Sequence, residues 1–303
     1  MINTNVVVNE VMVLFLIMII GVYARKRGFM SEDLTKQLSH LLLNITMPLM
    51  IIASFHFEFS YAMLQNAGIL FLISLGIHSV SAVLGLVIYY RYPVDVRSIL
   101  RFITVFSNCA FMGFPVLESL YGRIGIFYGS IYVISFNVFL WTYGVMLFNG
   151  AKDAKTFQKA VLNPGIVSVF IGLILFIFSI RLPIPIIRTM EMVGSMTIPI
   201  SMLIVGALLA DANLKGIFSG SSVYYGTAIR LLLLPLITLG ILRLIGVPDI
   251  LLAISVILVG MPAAANTAIF AETFKGDSLL ASRLVAISTI ASLVTIPLLV
   301  LLL

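Results

Sequence analysis

The chain has 303 residues, of which 61% are hydrophobic and 10% charged, with a formal net charge of +6. A water-exposed surface needs charge on roughly a quarter of its residues, so a soluble globular domain is excluded and the chain reads as dissolved in lipid. The lone cysteine, Cys109, excludes an intramolecular disulfide and any metal cluster built from cysteines.

The first apolar run, Val6 to Ala24, carries Glu10 on its amino side and is followed by Arg25-Lys26-Arg27. A secretory signal has the reverse polarity, so this run is expected to be a retained helix with its amino end outside. At about 20 apolar residues per crossing, the chain divides into ten spans, near 5–24, 35–55, 66–89, 99–119, 125–148, 163–180, 185–209, 220–245, 249–273 and 279–303. The expected class is an all-α integral membrane protein without a separate soluble domain. Its longest polar stretch, Asn149 to Lys159, falls at the midpoint.

Lysine and arginine orient the spans. With the amino terminus outside, Arg25, Lys26, Arg27, Lys36, Arg91, Arg97, Arg101, Lys152, Lys155, Lys159, Lys215, Lys275 and Arg283 fall on the inner side, thirteen of the 18 basic residues. Arg123, Arg181, Arg188 and Arg243 fall outside. This asymmetry predicts a multi-pass protein of the cell membrane with both termini on the outer face.

Five spans precede the central loop and five follow, so residues 1–150 and 151–303 are expected to be two five-helix repeats of inverted topology. Two motif pairs support the repeat. Thr46-x-Pro48 in span 2 matches Thr197-x-Pro199 in span 7, and Gly113-x-Pro115 in span 4 matches Gly260-x-Pro262 in span 9.

The second pair marks the expected site. Proline breaks the helical ladder, and freed backbone groups are tolerated at membrane depth only where protein encloses them. If spans 4 and 9 break near Pro115 and Pro262, the half-helices that follow turn positive amino ends toward the midplane, which suits an anion. Gly113 and Gly260 let backbone approach a ligand closely; the alternative is that both pairs only kink and pack helices. Asn108 and Asn266 either hydrogen-bond a substrate carboxylate or make interhelical bonds. Asn44, Thr46, Ser195 and Thr197 either line the facing wall or satisfy backbone freed by Pro48 and Pro199. Arg230 either binds substrate, pairs with an acid such as Glu272, or snorkels to the inner face.

His78, Glu118 and Glu272 are weaker candidates for proton or cation handling. The sequence has no phosphate-binding loop, no metal-spaced cluster and no nucleophilic triad, so neither an enzyme nor a cofactor is expected, and nucleic acid is not an expected partner.

The segments Ser107–Leu117 (SNCAFMGFPVL), Met261–Phe270 (MPAAANTAIF) and Leu43–Leu49 (LNITMPL) resemble the auxin efflux carrier family over essentially the whole chain. The resemblance implies a permease of the bacterial malonate and malate kind. It further implies spans 1, 2, 6 and 7 as a scaffold through which a homodimer would form, and spans 3–5 and 8–10 as a moving transport domain. Spans 4 and 9 would be broken helices crossing at the substrate site. The rival classes are a membrane receptor, which would need an output surface that short inner loops do not offer, and an ion channel.

Overall fold

The computed structural model describes residues 4–149, 163–211, 220–265, 267–273 and 276–303. Most of the central polar stretch expected at 149–159 lies outside the described residues. The described chain is helical: α1 Thr4–Lys26, α2 Glu32–Ser54, α3 Tyr61–Ile88, α4 Val94–Val105, α5 Phe114–Phe139, α6 Val145–Asn149, α7 Pro164–Ile177, α8 Ile184–Asp211, α9 Ser221–Ile245, α10 Asp249–Gly260, α11 Thr267–Thr273 and α12 Ser278–Leu301. Among the described residues, the sole extended pairing is an antiparallel bridge between Ser107 and Ala263.

Among the described residues, six stretches are long and apolar enough to cross a bilayer: α2, α3, α8, α9, α12 and the stretch Cys109–Phe148, which holds α5 and most of α6. The protein is therefore a multi-pass membrane protein. Rows of exposed Leu, Ile, Val and Met on α1, α3, α9 and α12 form faces that only lipid or another apolar surface would solvate.

Local chemistry sets the helix ends. Ser31 opens α2 by accepting from the Leu34 N–H (3.1 Å), and Asn163 opens α7 by accepting from the Gly165 N–H (2.9 Å). Asp277 does the same for α12 through the Leu280 N–H (2.9 Å). Each side-chain oxygen satisfies an amide that has no intrahelical acceptor.

Proline shapes the helix interiors in a repeated way. Wide π turns at Leu42–Thr46, Cys109–Gly113 and Ile229–Leu233 each end two residues before a proline: Pro48, Pro115 and Pro235. A proline ring collides with the carbonyl four residues back and supplies no N–H. Widening the preceding turn moves that carbonyl aside without ending the helix. A fourth π turn, Leu140–Gly144, has no such proline, and the structure offers no local cause for it.

The chain separates into two compact units, each drawing on both sequence halves. One comprises Met1–Phe71, Ala110–Ile134 and Gln158–Ala210; the other comprises Leu72–Cys109, Ser135–Phe157 and Asp211–Leu303. In the first, small residues allow backbone-to-backbone packing. A Cβ on Gly206 would fall onto the carbonyl of Met18, and one on Gly194 would lie 2.8 Å from the Cα of Met50. Around these contacts Phe55 packs on Phe127 (4.5 Å between ring centres) and Phe127 on Phe176 (5.3 Å). Arg123 pairs with Glu191, and Arg181 with Glu58 at 2.7 Å, on exposed surface where such pairs add little stability.

The second unit packs α10 within helices α9 and α12. Every residue of α10 from Leu251 to Gly260 is buried, as an apolar run without a polar face requires.

Candidate functional site

In the second unit, α4 stops at Val105 and α10 at Gly260, and both chains continue extended. Pro262 explains the second stop, because the residue before a proline is driven out of the α region, and Met261 has φ −65° and ψ 150°. Phe106 turns extended (φ −105°, ψ 107°) with no proline beside it.

The two extended segments pair with each other. The Asn108 N–H donates to the Pro262 carbonyl (2.8 Å), and the Ala264 N–H donates to the Phe106 carbonyl (3.1 Å). These bonds bracket Ser107 and Ala263 as the close pair of a minimal antiparallel ladder. Ser288 of α12 accepts from the Ala263 N–H (3.0 Å). Thr267, at the start of α11, donates its hydroxyl to the Ala264 carbonyl (2.6 Å). Non-helical backbone inside a membrane protein is thus satisfied by its counterpart strand and by hydroxyls.

Asn108 is 3% exposed, and its side-chain nitrogen has no hydrogen-bond partner. A buried amide donor left unmade costs about 1–3 kcal/mol, which most native positions avoid. That unpaired buried donor makes Asn108 a candidate binding group.

Arg230, on the π turn inside α9, is 2% exposed and turned inward. Its Nη1 donates to the carbonyls of Ile103 (3.3 Å) and Thr104 (2.9 Å), its Nε to that of Met261 (3.1 Å), and its Nη2 to that of Val259. The guanidinium thus joins the last turn of α4 to the end of α10 and does not snorkel to an interface.

The other expected residues distribute as follows. Pro262 and Gly260 lie in or beside the paired segments, with a Cβ on Gly260 running into Leu299. Asn266 lies outside the described residues. Gly113 closes the π turn after Asn108 and Pro115 is the second residue of α5; both are buried and belong to the first unit. In that unit Thr46 is buried, with its hydroxyl 3.5 Å from the Leu42 carbonyl, whereas Asn44 is exposed and donates to the His40 carbonyl (2.8 Å). Ser195 is exposed and bonds the Met192 carbonyl (2.8 Å); Thr197 is fully buried with an unpartnered hydroxyl.

Among the weaker candidates, His78 Nδ1 faces the Ser74 carbonyl (2.6 Å), between Phe136 and Phe139. Among the described residues, no group of His, Cys, Asp and Glu has metal-binding geometry. Sequence reasoning missed Ser107 and Ser288, although the polar cluster Ser288, Thr289 and Ser292 within an apolar span was a usable signal.

Apolar helices around a buried, polar, non-helical pairing are features of a multi-pass integral membrane protein, and its family makes it a transporter. The chain belongs to the membrane transport protein family, whose profile matches residues 6–300 and which is the auxin efflux carrier family that its motifs resemble. It is similar to an uncharacterized transporter of Methanocaldococcus jannaschii, at 21% identity over 301 residues and 96% of each chain. It is likewise similar to an uncharacterized transporter of Methanothermobacter thermautotrophicus, at 23% identity over 298 residues and 96% of each chain.

Proposed function

We propose that this membrane transporter carries small organic anions, mono- or dicarboxylates such as malonate or malate, across the cell membrane by alternating access. The observation that carries the reading is Asn108, a buried amide donor without an acceptor beside two paired extended segments. A carboxylate is an acceptor-only ligand and fits such a donor. In this reading Asn266 supplies the matching amide from span 9, and Gly113, Pro115, Gly260 and Pro262 shape the crossing.

The same reading has ten crossings in two inverted repeats, with both termini outside. Spans 1, 2, 6 and 7 form the scaffold, which offers Thr46, Thr197, Asn44 and Ser195, and spans 3–5 and 8–10 move. That each compact unit draws on both sequence halves is what interleaved repeats would produce. An inside-negative potential favours anion export by about 2.3 kcal/mol per charge per 100 mV, so efflux needs no coupled ion.

The test is flux of radiolabelled malonate, malate and monocarboxylates in proteoliposomes, with and without an imposed potential. Saturable, potential-sensitive flux in wild type and its loss in folded Asn108→Ala and Asn266→Ala variants is the expected result. Flux that survives both substitutions removes the site from the crossing; no flux of any carboxylate removes the substrate class.

A further inference from the structure

We infer that Arg230 is a positioning residue that sets the charge preference of the crossing by capping two helix carboxyl ends at once; this rests on the anion reading above. The last turn of every α-helix presents carbonyls without intrahelical donors. Ile103 and Thr104 are such carbonyls at the end of α4, and Val259 and Met261 stand at the end of α10. All four accept from the one guanidinium.

The electrostatics follow from the dipoles. Each helix carboxyl end carries the equivalent of roughly −0.5 charge, so two ends meeting at one place amount to about −1. Left alone, that pair attracts a cation and repels a carboxylate. One guanidinium brings +1 to the same carbonyls, and its rigid fork reaches both helices, which a single ammonium point does less well. The negative ends are offset, and the Asn108 donor meets an anion without a repelling field behind it.

Geometry ties this to the site. Met261, whose carbonyl Arg230 holds, precedes Pro262, whose carbonyl takes the Asn108 N–H. The Thr104 carbonyl would take the Asn108 N–H if α4 continued; because that N–H goes to Pro262, the oxygen is left to the arginine. The clamp thus fixes the chain immediately before each extended segment.

The experiment uses the purified full chain as wild type, Arg230→Lys and Arg230→Gln. It measures equilibrium binding of radiolabelled malonate, together with amide hydrogen exchange in peptides covering 106–108 and 261–264. Lysine keeps the charge and loses the fork, so malonate affinity is expected within about threefold of wild type. Glutamine keeps some hydrogen bonding and loses the charge; affinity is expected to fall about tenfold or more, with faster exchange in both peptides. Equal losses in the two variants overturn the charge role, and wild-type binding and exchange in Arg230→Gln overturn the whole inference. If wild type binds no carboxylate, the substrate reading fails by itself. The clamp then stands or falls on exchange alone, with unchanged rates in Arg230→Gln refuting it. If the glutamine variant does not fold, the lysine variant decides, and affinity reduced tenfold or more despite its retained charge counts against the inference.

Discussion

Replacing Asn108 by leucine, which has nearly the same volume, separates a recognition role from a packing role. The wild-type side chain holds a buried nitrogen without a partner, and removing it relieves about 1–3 kcal/mol of desolvation cost. Its main-chain N–H still reaches the Pro262 carbonyl, so the extended pairing is retained. At roughly 2 °C per kcal/mol for a chain of this size, the ligand-free protein should melt about 2–6 °C higher. Carboxylate flux should fall to background in the same preparation, because leucine offers no donor. The paired assay is thermal unfolding in detergent beside flux in proteoliposomes. A variant that melts lower and still transports would refute the reasoning and make Asn108 a structural residue.

Gly206→Ala places a methyl group against the Met18 carbonyl, where backbone cannot yield cheaply, and should cost about 1–3 kcal/mol. Gly240→Ala meets nothing within 4 Å in an exposed helix interior and should gain up to about 1 kcal/mol; the two melting temperatures should move in opposite directions. Ser288→Ala leaves the buried Ala263 N–H without its acceptor, so a loss of about 1–3 kcal/mol is expected, with faster hydrogen exchange at Ala263 as the local reading. Arg123→Gln removes an exposed ion pair and should shift stability by no more than about 1 kcal/mol, read in the same melt.

The helical, membrane-embedded class was legible because apolar runs of bilayer length have few other solutions. The special standing of Asn108 and Pro262 was also legible, since a polar amide and a proline are both costly inside a span. Their consequence was not. Span 4 was expected to break near Pro115, yet α4 ends at Val105, and Pro115 sits in the first turn of the next helix behind a π turn. Proline announces a disturbance, but neighbouring elements decide whether the chain widens or unwinds. Phe106 unwinds because Ala264 and Arg230 take up the carbonyls released around it. Such long-range partners leave no periodic trace. Arg230 was similarly visible as a buried charge, whereas the four carbonyls it holds at the ends of α4 and α10 are main-chain oxygens, which every sequence contains and none advertises.

The arginine clamp also bears on how the protein is made. Ile103 and Thr104 are synthesised well before Arg230, but Val259 and Met261 follow it by 29 and 31 residues. At roughly 5–20 residues per second, about 2–6 s pass before the second pair of acceptors exists. During that interval α9 enters the bilayer with a guanidinium worth about 2.5–3.5 kcal/mol against insertion at a helix centre. The leucine-rich stretch around it, Leu231–Leu234, supplies the opposing hydrophobicity. Polar substitutions at the outward-facing Leu232 and Leu233 should therefore lower yield during biogenesis more than they disturb an already assembled molecule, whereas Leu231 and Leu234 are buried and matter to both.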